Sequence, residues 1–291
     1  MKELQFKLRI LIVVLIFLTT AIALSLGTFR HRHDIAIGGK ICTEQRILGE
    51  ILAQLIEKNT SLKVNRSFNL EGTAICFNAL KSGSIDLYCE YTATALLDIL
   101  KEPLMEGSLY PHVKQAFEEK YNLIWLDRLG FCNQYVLIAR ANSNLKSISD
   151  IQPHHKIAFD PEIAARPEMT LLKSSYPQIN QSKLMDQVLL YFSLQSGGMD
   201  VVSGFSTDGR LVDKRFTILK DDKNCLSDYE VAPVISKKCL NKHPELIPVL
   251  SLLAGKISNE QMSMLNYQVE IQKRDVAQVA TEFLQNAILS P

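Results

Sequence analysis

Short runs of apolar residues in the first part of the chain predict β-strands. The runs are "DIAIGG" (34–39), "LKVNRSF" (62–68) and "SIDLYCEY" (84–91), each with the length of a strand. The segments between these runs have a different, helical spacing of apolar residues. Strands that alternate with helices in this way predict an α/β architecture with a mostly parallel sheet.

Apolar residues recur every three or four positions in the intervening segments, which predicts helices. The first helix is expected over residues 44–57, after Thr43 as its N-cap. The second lies in "GTAICFNALKSG" (72–83) and is expected to end at Gly83, because glycine adopts the left-handed conformation common at helix ends. Residues 243–289 have helical spacing almost throughout. We expect this helical tail to close back over the first part of the fold.

One sequence pattern occurs twice in the chain. Both "ALKSGSIDLYCEYTAT" (79–94) and "SLQSGGMDVVSGFSTD" (193–208) contain a helix end, a glycine, an aspartate, a strand, and an aromatic residue followed by a hydroxyl. Two such units predict two lobes of similar construction. Ligands of open α/β sheets bind outside the carboxyl ends of the strands. A site between the lobes is therefore expected, with Tyr91 on one side and Phe205 on the other.

The first 27 residues differ from the rest of the chain. Basic residues precede an apolar run from Ile10 to Leu18 that continues weakly to Leu24, which is the pattern of an export signal. The apolar length also overlaps the lower limit for a membrane span, so a cleaved signal peptide and a retained anchor both remain open. No cysteine follows the run, which argues against a lipid anchor. We expect a periplasmic or otherwise extracytoplasmic protein.

Composition and charge exclude some classes of function. The chain has 291 residues, 47% apolar content and a formal net charge of +1, so it lacks the basic stripe that nucleic-acid binding requires. Its six cysteines do not have the spacing of a zinc site. Buried free thiols are the simplest expectation, with Cys225 and Cys239 as the candidate pair for a disulfide. Neither a metal nor another cofactor is expected.

Six segments in order resemble a known family of binding proteins. They are "GGKICTEQRILGEILAQLIEK", "EGTAICFNALKSGSIDLYCEYTATAL", "FCNQYVLIAR", "AARPEM", "GFSTDGRL" and "DYEVAPVIS". From about Asp34 to its end, the chain resembles the substrate-binding proteins of ABC transporters for quaternary-ammonium osmoprotectants, the glycine betaine, carnitine and choline group. The resemblance implies a monomer of the two-lobed, periplasmic-binding-protein-like fold of type II, which closes about a hinge. It also implies delivery of the ligand to a membrane permease, without catalysis.

The repeat and the resemblance together divide the chain into parts. Residues 1–27 are expected to be the signal peptide or membrane anchor. Residues 34–131 and 232–291 are expected to form lobe 1, and residues 132–231 lobe 2. In this arrangement each lobe is a mostly parallel sheet flanked by helices, and the chain crosses between the lobes twice.

The resemblance also implies a ligand site. A quaternary ammonium has no N–H group to donate, so ring faces and surrounding oxygens must attract it. In the family, an aromatic cage holds the cation, polar side chains contact a ligand carboxylate, and the position of Asn133 places an oxygen near the cationic head. The implied cage is Tyr91, Tyr135, Phe205 and Tyr229, and the implied polar contacts are Lys40, Thr94 and Arg166.

Some positions depart from the family pattern. Cys42 lies where the family usually has an aromatic residue, Cys89 replaces a proline, and Phe205 replaces the usual tyrosine. Phe205 keeps its ring face but lacks the hydroxyl, so a cation could still be held there while a hydrogen bond from that position is lost. The identity of the ligand therefore stays open.

Each of these aromatic residues could instead belong to the core, because strand aromatics ordinarily pack there. We assign Tyr88 and Phe131 to the core or the rim of the site. Glu90 is expected to be a structural or rim carboxylate rather than a direct ligand contact. Asp208 and Arg210 are expected to form a salt bridge at a helix start and between the lobes.

Three rival functions remain open. An enzyme would use Cys132 as a thiol nucleophile with a remote histidine, whereas "GFSTDG" lacks the second glycine of a nucleophile elbow. A binding protein of the same fold could take an amino acid or other zwitterion, whose ammonium would need acidic partners such as Glu90. A sensory or structural anchor would retain the N-terminal helix.

Overall fold

The computed structural model of the protein describes residues 33–105 and 107–287. The predicted signal or anchor over residues 1–27 lies outside this range. Within the described ranges, no helix combines the length and the apolar character needed to cross a membrane. The strands are β1 (Ile35–Lys40), β2 (Val64–Leu70), β3 (Leu87–Tyr91), β4 (Leu123–Trp125), β5 (Tyr135–Arg140), β6 (Ile157–Phe159), β7 (Lys183–Leu184), β8 (Val201–Phe205), β9 (Phe216–Leu219) and β10 (Val231–Ser236).

Helices connect and cover these strands. They are α1 (Thr43–Asn59), α2 (Thr73–Ser82), α3 (Thr92–Thr94), α4 (Tyr110–Tyr121), α5 (Pro161–Ala164), α6 (Glu168–Ser175), α7 (Gln187–Ser196), α8 (Lys237–Lys242), α9 (Leu246–Ser251), α10 (Asn259–Glu270) and α11 (Val276–Ala287). A π-helical turn (Ala95–Leu100) continues α3, and 3-10 turns occupy Ala141–Ser143, Ile148–Asp150, Pro177–Gln181 and Gly209–Val212.

The described part of the chain contains two five-stranded sheets. The strand order is β2-β1-β3-β10-β4 in the first sheet and β7-β6-β8-β5-β9 in the second. In each sheet one strand opposes the others, because β10 is antiparallel to both its neighbours and so is β5. The remaining strands share one direction, which confirms the prediction of mostly parallel sheets. Each sheet with its helices forms one lobe, the first containing β1 and the second β8.

Helix α1 largely matches its prediction. Its apolar residues at helical spacing, among them Ile47 and Ile51, are buried in the core, where their removal from water stabilises the lobe. The helix begins at Thr43 itself, and Cys42 before it is the N-cap without a side-chain hydrogen bond. The expected cap at Thr43 was therefore wrong by one position. Only two residues separate β1 from the helix, which leaves Thr43 already in the first turn.

The two copies of the repeat have the same local structure. Helices α2 and α7 end at Gly83 and Gly197, whose φ angles of 78° and 81° lie in the left-handed region. Glycine adopts this conformation without steric cost, which explains why both copies contain it. The strands that follow, β3 and β8, end at Tyr91 and Phe205.

The aspartate of each copy fixes the neighbouring strand. Asp86 accepts a hydrogen bond from the amide of Ala36 through its carboxylate (2.9 Å), and its own amide donates to the carbonyl of Ala36 (2.7 Å). Asp200 makes the equivalent pair of bonds with Lys156, at 2.9 and 2.8 Å. The shared pattern in the sequence therefore encodes the same strand junction in both lobes.

The chain passes between the lobes in two adjacent segments. Cys132 and Glu230 form an antiparallel bridge, and the amide of Asn133 donates to the carbonyl of Tyr229 at 3.1 Å. These paired segments have the arrangement of a hinge. The lobe limits expected at 131/132 and 231/232 remain a prediction.

The C-terminal helices cover the first lobe, as expected. The amide of Gln54 on α1 donates to the carbonyl of Ala277 at 2.8 Å, and the hydroxyl of Thr281 donates to Gln54 Oε1 at the same distance. Helix α10 begins at a capping box formed by Ser258 and Gln261. It also reaches the second lobe, because a Cβ on Gly209 would lie 2.5 Å from the backbone nitrogen of Tyr267.

All six cysteines are free thiols. The suggested disulfide between Cys225 and Cys239 was therefore wrong. Strand β10 lies between the two residues, and six extended residues span about 20 Å. A disulfide needs Cα atoms within about 7 Å of each other.

Candidate functional site

A cleft of about 530 Å³ is lined by residues from both lobes. Tyr91 lies at its first-lobe side, at the end of β3, and Phe205 lies on the second-lobe side, at the end of β8. The structure brings all eight predicted site residues together in this cleft, although their contact with a ligand stays a prediction. They are Lys40, Tyr91, Thr94, Asn133, Tyr135, Arg166, Phe205 and Tyr229.

Three of the predicted cage rings contact one another. The ring centroid of Tyr135 lies 5.1 Å from that of Phe205 at an interplanar angle of 43°, and 5.2 Å from that of Tyr229 at 82°. Backbone pairing explains this cluster. Tyr135 and Phe205 are direct partners in the antiparallel pair of β5 and β8, and Tyr229 lies in the crossing segment beside Asn133.

The hydroxyl group of each cage tyrosine donates a hydrogen bond to a glutamate. The pairs are Tyr91–Glu44 (2.7 Å), Tyr135–Glu162 (3.1 Å) and Tyr229–Glu168 (2.7 Å). Burial raises the pKa of all three tyrosines well above the ordinary value. The phenols therefore remain protonated and act as donors. The fourth cage residue, Phe205, has no hydroxyl group and therefore makes no such hydrogen bond.

Glu44 connects the two lobes. It lies in the first turn of α1, is almost completely buried and accepts hydrogen bonds from four side chains. The donors are Tyr91 Oη (2.7 Å), Asn133 Nδ2 (3.0 Å), Thr207 Oγ1 (2.6 Å) and Asn266 Nδ2 (3.1 Å). Burial raises the pKa of Glu44, and these four hydrogen bonds oppose that rise by stabilising the carboxylate.

Within the described part of the chain, only one of the two polar atoms in the Asn133 side-chain amide has a hydrogen-bond partner. Its nitrogen donates to Glu44, while Oδ1 is buried and has no hydrogen-bond partner among the described residues. A buried acceptor without a partner costs about 1–3 kcal/mol. An oxygen left in this state beside the cleft can interact favourably with a positively charged group.

Lys40 forms an ion pair inside the first lobe. Its Nζ lies 2.6 Å from Oε1 of Glu90 and 5.0 Å from the ring centroid of Tyr91. Glu90 is fully buried and also accepts from the Tyr88 hydroxyl (3.0 Å) and the Tyr91 amide (2.8 Å). These contacts agree with a structural carboxylate at Glu90 and with Tyr88 in the core. Phe131 is buried in the core as well.

Arg166 is held by three polar contacts. Its Nε donates to the Tyr135 hydroxyl at 2.9 Å, and its terminal nitrogens lie 3.0 Å from Asp98 Oδ2 and 3.2 Å from Glu162 Oε1. Asp98 belongs to the π-helical turn of the first lobe, whereas Arg166 belongs to the second lobe. This ion pair therefore joins the lobes.

Asp208 and Arg210 do not join the lobes. The carboxylate of Asp208 caps the 3-10 turn Gly209–Val212 by accepting from the Arg210 amide, and it pairs with the Arg210 guanidinium at 2.6 Å. The expected helix start is confirmed, but the expected salt bridge between lobes was wrong. The two residues are only two positions apart in one turn of the second lobe, so their side chains meet locally.

Comparison with known proteins identifies the family. Residues 33–286 match the family described as the substrate binding domain of the ABC-type glycine betaine transport system. The chain belongs to this family. The resemblance of the six sequence segments to this family is thereby confirmed, and the family is one of transporter substrate-binding proteins rather than enzymes. Substrate-binding proteins of ABC importers are extracytoplasmic.

Individual relatives agree with this assignment. The chain is 33% identical over 264 residues to the ergothioneine transport permease/ergothioneine binding protein EgtU of Helicobacter pylori (strain G27), covering 86% of this chain and 47% of that protein. The chain thus spans about half the length of that relative. It is also 33% identical over 272 residues to the carnitine transport binding protein OpuCC of Listeria monocytogenes, covering 87% of each.

A solved structure confirms the two-lobed fold of type II. The crystal structure of a glycine betaine/carnitine/choline ABC transporter superimposes with a TM-score of 0.80 at 29% sequence identity, covering 86% of this chain and 97% of that chain. The same fold places a cleft between two sheets in this protein.

The rival thiol enzyme receives no support from Cys132. Burial raises the pKa of its thiol to about 12, whereas a nucleophilic cysteine needs a lowered pKa to form the thiolate. Its sulfur instead accepts a hydrogen bond from the Tyr229 amide at 3.0 Å. Cys132 therefore stabilises the crossing segments.

Several residues around the cleft were missed by sequence reasoning. Glu44 lies within the quoted "TEQ", but a glutamate in the first turn of a helix is ordinarily explained by the helix dipole. No local signal marks the others, because their partners are distant in the sequence. The missed residues are Glu44, Glu162, Glu168, Thr207 and Asn266.

Proposed function

We propose that the protein is the solute-binding component of an ABC importer and captures a quaternary ammonium compound of the glycine betaine, carnitine or choline type. The observation that carries this proposal is the cluster of Tyr135, Phe205 and Tyr229 in a cleft that also contains Tyr91. Ring faces are the groups that attract a cation without N–H donors.

The magnitudes support such a cage. A desolvated ring contributes about 2 kcal/mol at best to a cation–π interaction. Three or four rings therefore supply about 6–8 kcal/mol at best. Polar contacts to a ligand carboxylate add to this and offset the cost of ordering the ligand, which makes the roughly 8 kcal/mol of a micromolar complex attainable. Carnitine, glycine betaine and ergothioneine, which the relatives are named for, share a trimethylammonium group. That group is the part of the ligand we place in the cage.

The polar residues of the cleft are proposed to hold the rest of the ligand. Asn133 Oδ1, which has no partner among the described residues, would lie beside the cationic head. Lys40, Thr94 and Arg166 line the same cleft and are proposed to contact a carboxylate where the ligand has one. Lys40 and Arg166 already have acidic partners, so they would offer their remaining N–H groups.

Capture is proposed to close the lobes about the crossing segments. The ion pair between Arg166 and Asp98 and the hydrogen bonds of Glu44 join the lobes across the cleft. Binding proteins of this kind alternate between open and closed states by hinge motion. The closed, ligand-bound monomer would then deliver its ligand to a membrane permease, and the N-terminal segment would serve as its signal peptide or anchor.

Calorimetric titration tests this function. We expect micromolar or tighter binding of at least one of glycine betaine, carnitine, choline and proline betaine, and no binding of glycine, which lacks the methyl groups. The absence of binding by all four methylated compounds, or equal binding of glycine, would contradict the proposal.

The alternative of an amino-acid ligand has less support. A primary ammonium needs a carboxylate with free acceptor capacity. Both oxygens of Glu44 already accept two hydrogen bonds each, and Glu90 is fully buried against Lys40. Glu168 has an oxygen without a partner among the described residues, but it is not one of the residues that line the cleft. The titration with glycine and with larger amino acids distinguishes the two ligands.

A further inference from the structure

We infer that Glu44 and Glu168, two buried carboxylates behind the cage rings, make the cleft select a full positive charge over a neutral molecule of the same shape. This inference rests on the proposed function, because it concerns the same cage. It adds two specificity-determining positions that need not touch the ligand's methyl groups. Each of them accepts a hydrogen bond of 2.7 Å from the hydroxyl group of a cage tyrosine.

The two glutamates have the same structural setting. Their exposed fractions are only 6% for Glu44 and 2% for Glu168. Each lies in the first turn of a helix, Glu44 in α1 and Glu168 in α6. The positive end of the helix dipole favours a negative charge at that position. Neither forms an ion pair with a lysine, arginine or histidine in the part of the chain that the structure describes.

This absence of a counter-charge is unusual for buried acids, which are ordinarily paired. Hydrogen bonds from neutral donors hold Glu44 in place of a cation. Glu168 accepts the Tyr229 hydroxyl, and its Oε2 is buried without a hydrogen-bond partner among the described residues. Lys40 and Arg166 line the same cleft but are paired with other acids. A bound cation would therefore add a positive charge that the unpaired carboxylates attract.

The third glutamate that contacts a cage tyrosine, Glu162, differs because its charge is compensated by an arginine and by water. Glu162 accepts the Tyr135 hydroxyl, but it is 60% exposed and pairs with Arg166 at 3.2 Å. Water and the guanidinium screen its charge. The selection for positive charge is therefore assigned to Glu44 and Glu168 and not to Glu162.

The carboxylates act on the ligand in two ways. A phenol that donates to a carboxylate gains electron density in its ring, which strengthens the attraction between the ring face and a cation. The negative charge also attracts the cation directly, and this attraction is strong in a cleft of low dielectric. A neutral ligand of the same shape gains from neither effect. The ratio of the two affinities therefore reports the contribution of the carboxylates.

The experiment compares matched ligand pairs. Choline is paired with 3,3-dimethylbutan-1-ol, and glycine betaine with 3,3-dimethylbutanoate, so that each pair differs by one positive charge at constant shape. Dissociation constants are measured by calorimetry for the wild type, Glu44→Gln and Glu168→Gln at one ionic strength. Glutamine keeps an oxygen that accepts the tyrosine hydroxyl but removes the charge. Glu118→Gln is the matched control, because Glu118 is a half-exposed glutamate on the surface of the first lobe.

We expect each cleft variant to lower the preference for the charged member of a pair by about tenfold, from one lost charge at an intermediate dielectric. The control should keep the wild-type ratio. Equal weakening of both members would show that the glutamates only position the rings, and an unchanged ratio would show that their charge is irrelevant. Either result overturns the inference while the proposed function stands.

Two further outcomes are distinguishable from these. If the wild type binds none of the quaternary ammonium compounds, the proposed function itself is overturned. If Glu44→Gln does not fold, because four donors depend on it, Glu168→Gln carries the test, since only one donated bond to that residue must be retained. A wild type that binds both members of a pair within threefold of each other also overturns the inference.

Discussion

Nη1 of Arg166, a residue that lines the cleft, lies 3.0 Å from Oδ2 of Asp98, and this ion pair connects the two lobes. Both residues come from segments that directly flank the cleft, Arg166 after α5 and Asp98 in the turn after α3. The pair therefore acts on the distance between the lobes rather than on the stability of either lobe.

Asp98→Asn should shift the unliganded protein toward a more open state. Asp98 is 39% exposed, and ion pairs with this exposure contribute about 0.2–1 kcal/mol. Loss of the pair should therefore shift the open–closed equilibrium only in part. The affinity for the ligand should fall about two- to fivefold, because roughly 0.6 kcal/mol corresponds to a factor of e in the dissociation constant. Small-angle scattering measures the radius of gyration. Glu118→Gln, which removes a pair within the first lobe, should leave the radius unchanged. An identical radius of gyration for Asp98→Asn and the wild type would show that this ion pair does not hold the lobes together.

Tyr91→Ala should weaken binding of a quaternary ammonium at least tenfold, or about 1.4 kcal/mol. The substitution removes one ring of the cage and one of the four donors to Glu44. Tyr91→Phe keeps the ring and should therefore retain more of the affinity. Calorimetry with the best ligand of the titration series measures both variants. Unaltered affinity in Tyr91→Ala would remove this residue from the cage.

Much of the fold could be predicted because it depends on local signals. Gly83 and Gly197 end helices within their own segments. Asp86 and Asp200 bond to residues 50 and 44 positions away, but they occupy the same place in both copies of the repeat. The predicted disulfide between Cys225 and Cys239 was wrong, because the spacing of cysteines in the sequence does not reveal that β10 lies between them.

The candidate site was predictable in its rings but not in its carboxylates. Aromatic residues at strand ends can be recognised from the pattern alone, whereas the partners of Glu44 lie 47, 89, 163 and 222 residues away in the sequence. Only the packing of two lobes and α10 brings these groups together. For Asp208 and Arg210 the sequence prediction was wrong in the other direction. A salt bridge that was expected between the lobes is formed within one turn of the second lobe.

Gly209→Ala should destabilise the contact between α10 and the second lobe. The added Cβ would lie 2.5 Å from the backbone nitrogen of Tyr267, and overpacking of this kind costs about 1–3 kcal/mol. Urea unfolding measures the change in the free energy of unfolding. Gly198→Ala is the control, because the one atom of the described residues closer than 3.4 Å to its new Cβ is the movable hydroxyl of Ser193, at 2.7 Å. Equal stability of the two variants would contradict a rigid contact at Gly209.

The pH dependence of stability should reveal the buried state of Glu44. Burial raises its pKa above the ordinary 4.5, so the folded protein holds this proton more tightly than the unfolded chain does. The stabilising contribution of the protonated group is fully present below pH 4.5 and is lost as the pH rises through the folded-state pKa. The wild type should therefore lose stability relative to Glu44→Gln as the pH rises through that window.

Two neighbours of Glu44, Cys42 and Tyr91, do not share this window. Burial raises the pKa of Cys42 to about 11 and holds that of Tyr91 well above its ordinary value, so neither changes charge in the acid range. Urea unfolding of the wild type and Glu44→Gln at several pH values between about 4 and 7 gives the difference in stability. Its slope against pH is proportional to the difference in protons bound by the unfolded and folded states. A bound cation favours the carboxylate form, so choline at saturating concentration should shift the wild-type transition to lower pH. A stability difference independent of pH would mean that Glu44 titrates as an exposed glutamate does, and its four hydrogen bonds would then balance the cost of its burial.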